Sequence, residues 1–93
     1  MAYRCAVRSR CFQVMGRPNE LGHARLGMIV SKRLFARAVD RNRMRRLIRE
    51  TFRVSAGTLP ALDLVVRPHS LPGEGSLAED LRAALISAVA KCG

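Results

Sequence analysis

A small α+β domain, in which a mixed sheet is covered on one face by two helices, is what the hydrophobic periodicity of this 93-residue chain predicts. Three observations carry that expectation. Two early segments alternate apolar and polar residues with the period of a strand. Two later segments repeat with the period of a helix, and a short apolar run bounded by prolines separates them. The length leaves room for one core only, and four aromatic side chains with no Trp make that core thin.

The chain reads as a single domain, 1–93, whose first nine residues carry no clear pattern and are expected to be poorly ordered. Residues 10–16, RCFQVMG, alternate as a strand, with Phe12 and Val14 on one face and Cys11, Gln13 and Met15 on the other. Pro18, Asn19 and Gly22 mark 17–24 as a turn, and a second strand follows at 25–31, so the pair is expected to form a hairpin. From Ala38 to Val54 the period becomes helical, gathering Met44, Leu47, Ile48, Thr51 and Phe52 into one stripe that Gly57 and Pro60 bring to an end. Residues 62–67, LDLVVR, form a third strand. Ser76 and Glu79 then make a capping box for a last helix with a stripe of Leu77, Leu81, Ala84, Leu85, Ala88 and Val89.

Charge is the second message. Seventeen Lys and Arg face seven Asp and Glu, for a net charge of +10, and fourteen of those bases fall in residues 1–53 against only three acids. Such an imbalance points to a polyanionic partner, nucleic acid first. The helix from Ala38 concentrates it: Asn42, Arg45, Arg46, Arg49 and Arg53 fall on one adjoining arc of a helical wheel. Glu50 is placed to pair with Arg46 at i, i+4, whereas Arg45 with Arg49 and Arg49 with Arg53 repel. A ridge of repelling guanidinium groups persists most readily if phosphates relieve it. Lys32, Arg33 and Arg37 leave the second strand toward the helix N-terminus, which itself favours phosphate. Asn42 adds an amide that can read a base edge or a 2′-hydroxyl, or hold neighbouring arginines.

Other chemistries find little support. Cys5, Cys11 and Cys92 form no CxxC pair and read as free thiols in a reducing, cytoplasmic compartment; no zinc spacing links them to His23 or His69. The carboxylates are scattered singly, and no Ser/His/Asp or Cys/His arrangement emerges, so no catalytic side chain and no protein-bound cofactor or metal is expected. No apolar run reaches membrane-spanning length.

The run Arg25-Leu-Gly-Met-Ile-Val-Ser-Lys-Arg, followed by Ala38-Val-Asp-Arg-Asn-Arg-Met-Arg-Arg-Leu-Ile-Arg-Glu, closely resembles the signature of the bacterial ribonuclease P protein component. The match combines the LG-x-x-VSK strand, its spacing to an Arg-Asn-Arg core, and the bases after it, and it extends through LDLVVRP to the last helix. The resemblance implies a small basic subunit that partners a catalytic RNA and precursor tRNA and assists removal of the 5′ leader. Hydrolysis is then carried by the RNA with its magnesium ions, and no obligate protein partner is expected. It implies RNA contacts at Lys32, Arg33, Arg41, Asn42, Arg43, Arg45, Arg46 and Arg49, to which the charge pattern adds Arg37 and Arg53. It also implies a leader site on the open sheet face at Gln13, Met15, Ile29 and Ser31, with Met15 where an aromatic commonly stacks a base. The family's Phe-containing N-terminal helix has no counterpart before Arg10: either the chain continues upstream of Met1 or the leader site here is weaker. A left-handed β-α-β crossover is implied too, against the general rule. The alternatives are a ribosomal or other structural RNA-binding protein of the same fold and, less well matched, a DNA-binding helix protein, which would need a second helix before the arginine helix.

Overall fold

A computed structural model describes residues 5–55, 59–70 and 77–92. The elements are β1 (Cys5–Arg8), β2 (Phe12–Pro18), β3 (Arg25–Met28), α1 (Ala38–Ser55), β4 (Leu62–Pro68) and α2 (Leu77–Cys92). The α+β class holds, and both helices, β4 and the apolar stripe of α2 lie where the periodicity predicts. Ser76 and Gly57, assigned to a cap and a helix end, lie outside the described residues.

Two expectations about the sheet are corrected. Residues 5–8, read without a clear pattern in the sequence, form a strand: they pair antiparallel with β2, Val7 opposite Val14. A tight turn closes that hairpin through Ser9 N–H to Phe12 O at 2.8 Å. Asp80 of α2 ties it down, accepting from Ser9 Oγ at 2.8 Å and from the Cys11 N–H at 3.0 Å. Burial opposes ionisation of Asp80, yet the bonds from Ser9, Cys11 and Arg10, with the Arg10 charge, outweigh it and hold the carboxyl below its ordinary range. Cys5 is engaged in a disulfide, so the reading of three free thiols fails; Cys11 is free and buried.

The second correction is to topology. β2 and β3 do not form a hairpin: the sheet order is β1-β2-β4-β3, with β4 antiparallel to β2 and parallel to β3. In the interior place both edges of β4 have their backbone N–H and C=O groups paired, by β2 on one side and β3 on the other. Asp63 fixes it there. Its carboxylate accepts from Arg25 of β3 at 2.9 Å, from Asn19 at 2.9 Å and from Arg17 of β2 at 3.2 Å, bridging both neighbouring strands. Gly22, at φ 81°, supplies the left-handed residue in the connection between β2 and β3.

The core lies between one sheet face and the helices, where Phe12, Val14, Leu64, Val66, Ile48, Leu81 and Leu85 are fully buried. Hydrogen bonds from Arg25, Asn19 and Arg17 overcome burial and hold the Asp63 carboxyl far below the usual carboxylate range. A depressed folded pKa gives stability that is present above the unfolded value, about 3.9, and is lost as pH falls toward the folded one. Acid unfolding followed by circular dichroism should therefore show a limb below about pH 4 that Asp63→Asn diminishes. An unchanged limb would remove Asp63 as its cause.

Candidate nucleic-acid interface

Ser31 organises the turn that leads from β3 into α1. Its carbonyl accepts from the Phe35 N–H at 3.0 Å and its hydroxyl from the Leu34 N–H at 3.2 Å. Phe35 is thereby buried as a plug, and Lys32 and Arg33 are left exposed on the turn. Arg41 reaches back from the first turn of α1, donating through Nη1 to the carbonyls of Phe35 at 2.9 Å and Ala36 at 3.0 Å. One predicted RNA contact, Arg41, thus also braces the turn that presents two others.

Along α1 the buried stripe is Met44, Ile48 and Thr51, whose hydroxyl is satisfied by Leu47 O at 2.8 Å. Leu47, expected near its centre, sits at its edge and is half-buried. Opposite the stripe stand Asn42, Arg46, Arg49 and Arg53, all exposed, with Arg45 half-exposed beside them. Asn42 Oδ1 accepts from Arg45 Nη1 at 3.2 Å, so the amide holds a neighbouring arginine. Glu50 pairs with Arg53 at 2.9 Å and not with Arg46; the i, i+3 partner wins, and the Arg53 hydrogen bond holds the Glu50 carboxyl below its ordinary range. That pair is exposed and adds little stability.

Among the described residues no acid lies within ion-pair distance of Lys32, Arg33, Arg43, Arg45, Arg46 or Arg49, and Arg37 makes only a loose 3.8 Å approach to Asp40. Arg43 departs from the ridge. It sits about 60° around the helix from Arg46, on the flank that carries Leu47.

The register assembles the open sheet face in rows. Gln13 lies between Arg8 of β1 and Arg67 of β4; Met15 lies between Ala6 and Val65, with Gly27 beyond. Ile29 extends this face by one residue past β3, its N–H bonding Val66 O at 3.0 Å, and Ser31 follows. Arg8 and Arg67 went unnoticed in the sequence because their proximity depends on strand pairing. Together with Arg33, Ser31 and His69 they line a cleft of about 310 Å³. His69 donates from Nε2 to Ser9 O at 3.0 Å, and its Nδ1 lies 2.9 Å from Ser70 Oγ, so both ring nitrogens are occupied structurally. Arg17 and Arg25 are committed to Asp63. Among the described residues no group of three or more His, Cys, Asp or Glu gathers to hold a metal, and no helix is long and apolar enough to cross a membrane.

A basic α+β domain whose helix ridge carries Arg46 and Arg49 without acid partners among the described residues, beside a cationic cleft, has the charge pattern of the polyanion-binding class. The chain belongs to the ribonuclease P protein family, whose family model, described as Ribonuclease P, matches residues 1–92. It is 48% identical over 77 residues to the ribonuclease P protein component of Azoarcus sp., covering 83% of this chain and 64% of that one. Against the protein component of Chromohalobacter salexigens it is 48% identical over 60 residues, 64% of this chain and 47% of the relative. The chain thus spans between about half and two thirds of these curated relatives. A solved RNase P protein mutant of Staphylococcus aureus, described as defective in mRNA degradation, superimposes with a TM-score of 0.81 at 32% identity, over 90% of this chain and 74% of that one.

Proposed function

We propose that this chain is the protein subunit of ribonuclease P, an endoribonuclease that removes the 5′ leader during tRNA maturation. The observation that carries the reading is the set of exposed arginines without acid partners along one flank of α1, in a chain of this family. Asn42, Arg45, Arg46 and Arg49 would dock the catalytic RNA, with Lys32 and Arg33 beside them. The leader of precursor tRNA would cross the open sheet face over Gln13, Met15, Ile29 and Ser31, its phosphates met by Arg8 and Arg67. Magnesium would be held by the RNA, while Asp63 and Asp80 serve the fold through internal hydrogen bonds. The protein's part is to bind and position by neutralising phosphate charge.

Reconstitution with a bacterial ribonuclease P RNA and precursor tRNA at low magnesium tests this directly. Leader cleavage should rise well above that of the RNA alone, and cleavage equal to RNA alone would overturn the proposal.

A further inference from the structure

The ridge and the sheet face leave a large concavity unused. Between the turn before α1, the second flank of α1 and the start of α2 lies a groove of about 600 Å³. Leu34, Phe35, Leu47 and Leu77 make its surface apolar, while Arg37, Asp40 and Arg43 bring charge to it. Its volume falls within the range of small-ligand sites.

We propose that this groove receives a single unstacked nucleobase of the bound RNA, one that carries an exocyclic amino group. The inference rests on the RNA-binding reading and adds a recognition pocket to it. Three observations select the occupant. Arg43 leaves the ridge by about 60° and lines the groove with Arg37, so a phosphate chain lying on Arg46 can continue across this flank. The apolar lining suits the face of a base, which every nucleotide presents. Asp40, half-exposed and 3.8 Å from Arg37, retains acceptor capacity where a base edge would lie, and a carboxylate accepts from the amino group of cytosine. Other occupants fit less well. A second copy would bring another +10 charge to the same surface, and an acidic peptide would meet Asp40.

Methyl and arginine NMR of the full chain, titrated with 5′-CMP, 5′-UMP and ribose 5-phosphate, provides the test. CMP should shift the methyl signals of Leu34, Leu47 and Leu77, and ribose 5-phosphate only the signals of arginines. CMP should bind on the order of fivefold tighter than UMP, which presents a carbonyl in place of the amino group. Asp40→Asn, able to donate as well as accept, should bring that ratio near one. Groove methyls that stay silent, or that respond equally to ribose 5-phosphate, would overturn the proposal, as would an unchanged ratio in Asp40→Asn. Methyl shifts that follow protein concentration without nucleotide would identify a second copy and overturn it too. Arginine signals on the ridge that respond to the ribonuclease P RNA while the groove stays silent would remove the pocket alone; silence at both would remove the RNA-binding reading as well.

Discussion

Ile48→Ala is expected to lower the free energy of unfolding by about 2–5 kcal/mol, because it empties a fully buried site between α1 and the sheet. Ile48 is 0% exposed and lies in the middle of the stripe that anchors the arginine helix. Denaturant unfolding followed by circular dichroism measures the loss as a lower midpoint at constant slope. RNA affinity measured where the variant remains folded should be nearly unchanged, since the ridge arginines lie on the opposite flank. Leu47→Ala should cost less, because that side chain is only half-buried. A loss below about 1 kcal/mol for Ile48→Ala would mean that α1 is not anchored through this residue.

The second large effect concerns binding. Arg46→Ala combined with Arg49→Ala should weaken association with ribonuclease P RNA and flatten its salt dependence, by roughly 0.7 to 0.9 on a log–log plot for each phosphate no longer neutralised. Both side chains are exposed and neither has an acid partner among the described residues, so the fold should survive with its unfolding midpoint intact. Arg17→Ala serves as contrast: that guanidinium holds Asp63, so its removal should appear in stability more than in RNA affinity. Equal loss of folding in the double variant and in Ile48→Ala would show that the helix does not divide into a core face and a binding face.

Local periodicity made α1, α2 and β4 legible, because a helix or a buried strand writes its pattern into consecutive residues. The arc of Asn42, Arg45, Arg46, Arg49 and Arg53 was legible for the same reason. What escaped depends on partners distant in the chain. Cys5–Arg8 is too short to announce itself and is a strand only because β2 and Asp80 receive it. The place of β4 between β2 and β3 rests on Asp63, an isolated acid whose partners Arg17 and Arg25 lie 46 and 38 residues away. Arg8 and Arg67 meet across Gln13 only once the strands are in register. Arg43 is set apart from the ridge because it turns toward the groove, whereas Arg53 stays on the ridge but is partnered by Glu50.

The interior position of β4 has a kinetic consequence. The β1–β2 hairpin needs only residues up to 18, but among the described strands β3 pairs with β4 alone, which is complete only at residue 68. During synthesis the arginine-bearing segment therefore emerges before the layer that backs it. Completion waits on a long-range pairing, which slows folding relative to domains built from adjacent hairpins. A nascent chain released before residue 62 would hold its cationic helix without a finished sheet behind it, and only the arrival of the last strand would turn that segment into a rigid docking surface.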